Sequence, residues 1–216
     1  MSELMKSFLY FVLGGSIAGD NVGKKVADER ITLVDDPGRG PDGRSSIEIH
    51  VDDEGVTCRK TTLIEKGILK GFLHNRETAR RFGVEPTGNA RAWAFYDEPL
   101  VRMRSTAILP GLDSVNDMIA SVEDGYYLVR SSNGQADSTS EFMFGVTMGY
   151  EIKGGKMGRA LRDTTISGVA FDMLQSVSAV SHDMRWSAGG MCGKKQVIPV
   201  GMGGPAIKCR LRIGGR

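Results

Sequence analysis

Apolar and polar residues alternate with a period of two along much of this 216-residue chain, and glycines interrupt the alternation. Residues 46–51, for example, place Ile47, Ile49 and Val51 on one face and polar side chains on the other, which predicts a half-buried strand. Glycine accounts for 29 residues, about 13% against an average near 7%, and it follows no fixed period. This composition predicts many turns and bulges between strands rather than a disordered or collagen-like chain.

Turn signals separate the predicted strands. Asp53-Glu54-Gly55 follows the first, and Lys66-Gly67 joins two short apolar runs at residues 62–64 and 68–69. A long aromatic-rich strand is predicted over residues 142–152, and it ends at the hairpin-like turn of residues 153–156. Further strands are predicted over residues 101–109, 196–200 and 206–213.

Helices are few in this pattern. Asn75 is a suitable N-cap for a helix that reaches residue 82 before Gly83, and Ser114 begins a second capped segment. Residues 168–180 carry a one-sided apolar stripe that predicts a third helix. We therefore predict an α+β fold in which antiparallel sheet predominates, with one domain over residues 19–216 and an N-terminal stub over residues 1–18.

Charge and cysteine usage exclude several classes of protein. The net charge of +2, with interleaved signs, argues against a nucleic-acid ligand. The apolar run at residues 8–13 is far shorter than the ~20 residues that span a bilayer, so no membrane segment is expected. Cys58, Cys192 and Cys209 are odd in number and far apart, which is unlike a disulfide framework and predicts a cytoplasmic location.

The glycine-rich segment at residues 189–195 contains a cysteine followed by two lysines. Positive charge nearby favours the thiolate, which is the form that attacks electrophiles and binds metals. The local pattern leaves open whether Cys192 is such a group or an inert structural cysteine. His182, ten residues earlier, is the alternative or additional ligand, although the spacing is also compatible with a hydrogen-bonded structural histidine. The chain contains no HExxH, HxH or GxSxG motif.

Two further segments carry guanidinium groups. Arg91 follows Thr87 and Asn89 near a turn, and Arg102 precedes Arg104 on one predicted strand face. Guanidinium groups in a cleft can hold a carboxylate or peptide carbonyls, whereas composition alone favours an ordinary solvated strand face.

Blocks of sequence extending over almost the whole chain carry a family resemblance. They lie in order at residues 22–27, 32–36, 52–55, 63–69, 87–91, 102–106, 134–137, 192–194, 199–205 and 212–215. From about residue 19 to residue 215 the chain resembles the carboxy-terminal part of the TldD/PmbA family, also called modulators of DNA gyrase. Cys192-Gly193-Lys194 resembles the TldD type, since the PmbA (TldE) type lacks the cysteine.

The resemblance implies a role for Cys192 as a zinc ligand beside two histidines of an HExxxH helix. Three protein ligands with an open position suit a hydrolytic zinc, which lowers the pKa of its water to about 7. The resemblance also implies that five other residues belong to the cleft or its scaffold: Thr87, Asn89, Arg91, Arg102 and Asp137.

Two departures from the family pattern qualify this expectation. The HExxxH motif is absent, and His182 stands where the family usually has asparagine. The first hypothesis is therefore the cysteine-bearing part of a zinc metallopeptidase that cleaves unfolded or extended peptides, with the histidines on a separate chain or a split gene. Its partner would be a PmbA/TldE-type subunit or a second copy. The alternative is a non-catalytic module that binds peptides or a partner, so the sequence leaves open whether this chain is an enzyme.

Overall fold

The computed structural model describes residues 20–45, 47–136, 140–187 and 190–214, which form sixteen strands and three short helices. The helices are α1 (Arg76–Phe82), α2 (Val115–Ala120) and α3 (Ala170–Gln175). The strands are β1 (Leu33–Asp36), β2 (Thr61–Glu65), β3 (Ile68–Leu69), β4 (Ala90–Arg91), β5 (Leu100–Val101), β6 (Ser105–Ile108), β7 (Asp124–Ala136), β8 (Glu141–Lys153), β9 (Lys156–Leu161), β10 (Thr164–Val169), β11 (Ala179–Val180), β12 (Arg185–Trp186), β13 (Gly190–Lys194), β14 (Gln196–Gly204), β15 (Ile207–Lys208) and β16 (Arg212–Ile213).

The larger sheet has seven strands in the order β12-β14-β6-β1-β2-β3, and β13 pairs with β14. Only the β14–β6 pair is parallel among the described strands of this sheet. Strand β1 lies near its centre, where Leu33 stands opposite Ile64 on one side and Ile108 on the other. All three side chains are buried.

The second sheet has five strands in the order β16-β10-β8-β7, with β9 also paired to β8. Its long hairpin of β7 and β8 contains register shifts between Leu128 and Gly134. Two small antiparallel pairs, β4–β5 and β11–β15, complete the architecture. The fold is therefore α+β and mainly antiparallel, as the sequence predicts.

The core lies between the two sheets. Period-two burial on β8 places Phe142, Phe144 and Val146 inside, while Met143 between them is exposed. Leu33 from the first sheet and Leu174 from α3 belong to the same apolar cluster. No helix in the described part of the chain has the length and apolar character to cross a membrane.

Local signals predicted several elements correctly. Asn75 caps α1 by accepting a hydrogen bond from the Thr78 amide, and Gly83 ends the helix in the left-handed conformation. Lys66 and Gly67 form the β2–β3 turn with positive φ at both residues. The β8–β9 hairpin turns at residues 154–155, as the glycine pair predicts.

Four predictions from periodicity need correction. The strands predicted over residues 101–109 and 206–213 are each interrupted, the first giving β5 and β6 and the second giving β15 and β16. The described residues 47–50 do not form a strand, since the Ile49 amide donates to the Pro37 carbonyl and the Ile47 carbonyl accepts from Ser105 Oγ. The helix predicted over residues 168–180 extends only over Ala170–Gln175. Residues 168–169 pair with β8, and Ala179–Val180 pair with β15. Tertiary pairing therefore overrides the local pattern at residues 47–50 and at both ends of this helix.

Two glycines allow a test of close backbone packing. Gly67 has φ +81°, and a Cβ there would lie 2.4 Å from the Ala27 carbonyl oxygen, whereas Gly55 has φ +74° and open space around the same position. We expect Gly55→Ala to cost about 1–2 kcal/mol through backbone strain alone. Gly67→Ala should cost about 1–3 kcal/mol more, since the Ala27 segment must move. Urea unfolding measures both, and equal losses would contradict the close approach at Gly67.

Candidate functional site

Cys192 lies on β13, in a tight hairpin with β14. The two strands pair Cys192 with Ile198 and Lys194 with Gln196, and Lys195 makes the turn with φ +57°. The Cys192 residue is 8% exposed and belongs to the apolar core cluster. The hairpin therefore holds one thiol at the border between the core and the turn.

The guanidinium group of Arg102 holds this hairpin in place through hydrogen bonds. Its Nη1 donates to the Cys192 carbonyl at 3.0 Å and to Cys192 Sγ at 3.4 Å. Its Nη2 donates to the carbonyl oxygens of Gln196, at 3.0 Å, and Lys194. Arg102 is fully buried, and its Nε has no hydrogen-bond partner. Among these partners only the Cys192 sulfur can carry a negative charge, because the others are neutral carbonyls.

Two more cations surround the cysteine. Arg91 donates to the carbonyls of Met103, at 2.8 Å, and Pro199, at 3.1 Å. Burial lowers the pKa of Arg91, although nearby Asp35 and Cys192 oppose the shift. Burial and the charge of Arg102 also lower the pKa of Lys194. The surroundings of Cys192 are therefore cationic and partly desolvated.

The other two cysteines lie away from the β13–β14 hairpin. Burial raises the pKa of Cys209 to about 11. Burial also raises the pKa of Cys58, although the nearby Arg104 guanidinium opposes the shift, and the Cys58 thiol donates to the Gly88 carbonyl at 3.1 Å. Both are therefore neutral thiols at neutral pH.

Asp35 and Arg104 form a buried ion pair, which Asn89 connects to Arg102. Arg104 Nε donates to Asp35 Oδ1 at 2.7 Å, and the Arg104 amide donates to Oδ2 at 2.8 Å. Thr106 Oγ1 and Asn89 Nδ2 donate to the same carboxylate at 2.6 and 2.9 Å. All four residues are fully buried. The solvated strand face considered for Arg102 and Arg104 is therefore wrong, because both side chains are fully buried and hydrogen-bonded inside the protein.

Asn89 connects the ion pair to the cysteine hairpin. Besides Asp35 it donates to the Arg102 carbonyl at 2.8 Å, and its Oδ1 accepts from Thr87 Oγ1 at 2.6 Å. Thr87 is in turn tied to the backbone of His74, whose amide donates to Thr87 Oγ1 at 2.8 Å. The polar network therefore continues from β1 through residues 87–89 to the residue that holds Cys192.

The structure brings together four of the five residues expected in the cleft or scaffold. Thr87, Asn89 and Arg102 are buried, and the hydrogen bonds of their side chains go to the chain itself. Arg91 is half-buried beside them. Asp137 lies outside the described residues. The four that are described support the cysteine hairpin from inside the protein.

His182 lies elsewhere. Cys192 stands opposite Ile198 and Arg185 stands opposite Gly204, so six residues of β14, about 20 Å of strand, separate the two positions. His182 is beyond Arg185, where its Nδ1 lies 2.9 Å from the Asp113 carbonyl and its Nε2 lies 3.5 Å from Asp183 Oδ1. The structure does not bring His182 and Cys192 together.

Sequence reasoning missed an aromatic loop at residues 92–98, which joins β4 to β5. Trp93, Phe95 and Tyr96 are 63%, 99% and 77% exposed. The loop is tied to the cysteine hairpin, because Gln196 accepts from the Trp93 amide at 2.8 Å and donates to the Glu98 carbonyl at 2.7 Å. Three aromatics within four residues between two strands were the available signal. Exposed aromatics of this kind mark interaction surfaces.

The residues around Cys192 supply one soft ligand for a metal and no more. The described part of the chain contains no cluster of three or more His, Cys, Asp or Glu side chains that could hold a metal ion. The neighbours of Cys192 are Arg102, Arg91 and Lys194, which are donors without lone pairs while charged. The described residues alone therefore do not fit a complete zinc site.

Comparison with known proteins identifies the family. Residues 7–215 match the family described as the PmbA/TldA metallopeptidase C-terminal domain. A metalloprotease TldD homolog of Buchnera aphidicola is 42% identical over 206 residues, which cover 94% of this chain and 42% of that protein. A zinc metalloprotease TldD homolog of Saccharolobus solfataricus is 37% identical, over 89% of this chain and 43% of its own length. The chain belongs to the PmbA/TldD metallopeptidase C-terminal domain family.

A solved structure supports the same grouping. TldE from Thermococcus kodakarensis superposes with a TM-score of 0.81 and 27% identity, covering 99% of this chain and 48% of that one. The chain spans less than half the length of the relatives that it matches.

The buried ion pair generates a prediction about stability. Asp35→Asn keeps the shape of the side chain but leaves the Arg104 charge buried without a counter-charge, which should cost about 3–5 kcal/mol in the free energy of unfolding. Glu98→Gln is the matched control, since the Glu98–Lys195 pair is exposed and should contribute less than about 1 kcal/mol. Denaturant titration of both variants measures the difference, and a similar small loss in the two would refute the importance of the buried pair.

A pH dependence follows from His74. Burial lowers the pKa of His74 from its ordinary value of 6.5, so below pH 6.5 the unfolded chain binds a proton more readily than the folded chain. The free energy of unfolding should therefore fall as the pH drops below 6.5, and level off below the folded pKa. His74→Gln should lose this part of the slope, and exposed His50→Gln should retain it. Identical slopes in all three proteins would contradict the assignment.

Proposed function

We propose that this member of the PmbA/TldD metallopeptidase C-terminal domain family supplies the cysteine ligand and part of the substrate cleft of a TldD-type zinc metallopeptidase. The observation that carries the proposal is the environment of Cys192. A buried guanidinium bonds both the carbonyl and the sulfur of this one cysteine. The Cys58 thiol instead donates to the Gly88 carbonyl, and Cys209 packs against the apolar core.

The chemistry of Cys192 suits a metal ligand. Zinc takes cysteine sulfur as the thiolate, and a cation next to the sulfur favours that form. The contacts of Arg102 to three carbonyls fix the backbone of the β13–β14 turn, and its contact with the sulfur orients the Cys192 side chain before any metal binds. The remaining ligands would come from residues outside the described part or from a second chain. When bound, the zinc would activate a water for hydrolysis.

The surface beside Cys192 suits an extended peptide. Strand β13 pairs with β14 alone among the described strands, so its other edge can accept the backbone of an added strand. The aromatic loop at residues 92–98 stands next to the same hairpin and offers exposed rings to the side chains of that peptide. Unfolded or extended peptides present both features, so they are the proposed substrates.

The partner and the compartment are part of the same proposal. The similarity to a TldE structure supports pairing with a PmbA/TldE-type subunit, or with a second copy of this chain. The exposed aromatic loop is a surface on which such a partner could pack. Three free cysteines support a cytoplasmic location, where thiols stay reduced.

A second candidate is a non-catalytic module that binds peptides or a partner. The observation in its favour is that the described residues offer a single metal ligand near the proposed cleft. The edge of β13 and the aromatic loop would then bind a peptide without cleaving it.

Zinc content distinguishes the two candidates. We expect elemental analysis to find stoichiometric zinc when the purified chain is mixed with an HExxxH-bearing segment of a TldD relative. Cys192→Ser should lower the zinc affinity of that complex by about 100-fold or more, since even the loss of a group that only orients a ligand costs about 10–100-fold. Cys58→Ser is the matched control and should leave the zinc content unchanged, because burial keeps that thiol protonated.

Two results would count against the proposal. Unchanged zinc in Cys192→Ser would refute the ligand assignment, provided that circular dichroism shows the variant folded. No zinc in any mixture, together with retained peptide binding, would favour the non-catalytic module.

A further inference from the structure

A cavity of about 590 Å³ lies within the fold, away from the cysteine hairpin. The five-stranded sheet forms one wall through Val146 and Ile166, and Leu174 of α3 and Ile119 of α2 close the sides. The segment at residues 204–211, between β14 and β16, forms the opposite wall. None of Arg91, Arg102 and Cys192 lines it, so the cavity is separate from the proposed metal-ligand site.

The size and lining of the cavity suit a small-molecule ligand. The cavity is partly open to the surface, and apolar side chains make up most of its walls. The deep walls are apolar side chains, so ordered waters would find few hydrogen-bond partners there. The volume falls in the range of about 300–1,000 Å³ that small-molecule sites occupy.

The mouth of the cavity is cationic. Arg130, Lys208 and Arg210 line it where it reaches the surface, together with one acid, Asp124. The acid is neutralised by Lys153, whose Nζ lies 2.6 Å from Asp124 Oδ2.

The two arginines at the mouth are free to bind a ligand. Lys208 Nζ donates to the carbonyl and the hydroxyl of Ser121, at 3.0 and 2.7 Å. The guanidinium groups of Arg130 and Arg210 make no ion pair with any described residue. An apolar interior behind two uncompensated guanidinium groups matches a molecule with an apolar body and one anionic end.

We propose that this cavity binds an amphipathic carboxylate, an elongated apolar molecule with a single anionic head, which is the chemistry of a fatty acid. The apolar chain lies between β8, β10 and α2, and the carboxylate meets Arg130 and Arg210 at the mouth. The site belongs to this domain alone and does not depend on the proposed metal ligand.

The experiment is calorimetric titration of the purified full chain with decanoate, with decanol as the neutral probe of the same chain length. We expect one decanoate per chain, and at least tenfold weaker binding of decanol. Ile119→Trp fills the cavity and should weaken decanoate binding at least tenfold. Leu112→Trp is the matched control, because Leu112 is exposed and lies outside the cavity lining.

A second pair of variants tests the anionic head. Arg130→Gln should weaken decanoate binding about tenfold and leave decanol binding unchanged. Arg159→Gln is its control, since Arg159 is exposed, pairs with Glu151 and does not line the cavity. This pair keeps the test decisive if Ile119→Trp does not fold.

Two outcomes would overturn the proposal. The first is absence of decanoate binding up to millimolar concentration, and the second is equal affinity for decanoate and decanol.

Discussion

The buried ion pair of Asp35 and Arg104 is the interaction on which the rest of the site depends. Its carboxylate accepts four hydrogen bonds, two from Arg104 and one each from Asn89 and Thr106, so no lone pair faces an apolar group uncompensated. The guanidinium also bonds the carbonyls of Arg59, Thr87 and Gly88. A buried pair of this kind contributes specificity when fully satisfied, because a shifted arrangement would leave a charge unpaired.

The hydrogen-bond network around this ion pair reaches Cys192 through Asn89 and Arg102. Asn89 bonds both Asp35 and the carbonyl of Arg102, and Arg102 then bonds the turn that carries the cysteine. Arg102, Arg91 and Lys194 make the surroundings of this sulfur cationic, which favours a bound anion such as a carboxylate. The same charges oppose a divalent metal, so a zinc ion there would need further neutral or anionic ligands from elsewhere. The described residues alone therefore do not favour zinc at this place.

The sequence predicted the parts of the fold that local chemistry determines. Asn75 and Gly83 mark the ends of α1, and Lys66-Gly67 marks the β2–β3 turn, because capping and positive φ depend on neighbouring residues alone. Residues 47–50, 168–169 and 178–180 were assigned wrongly, since their partners are distant in sequence. Alternation of polar and apolar residues predicts which side chains of a strand are buried only where one face of that strand contacts water.

Less of the candidate site could be predicted from the sequence. Arg104 reaches Asp35 across 69 positions, so nothing near either residue indicates that the pair is buried. The residues themselves left open whether Cys192 was inert, and the family resemblance gave it a role. The structure added its contact with Arg102 and the aromatic loop beside it. The contact with Arg102 depends on packing between residues 90 positions apart, which no local pattern indicates, whereas the three aromatics of residues 93–96 were a signal for the loop.

The most direct test of the account is X-ray absorption at the zinc edge, on the complex of this chain with an HExxxH-bearing segment of a TldD relative. The account predicts one sulfur scatterer at about 2.3 Å together with nitrogen or oxygen scatterers at about 2.0–2.1 Å. A zinc shell of nitrogen and oxygen alone would contradict it, because Cys192 would then stand outside the metal site.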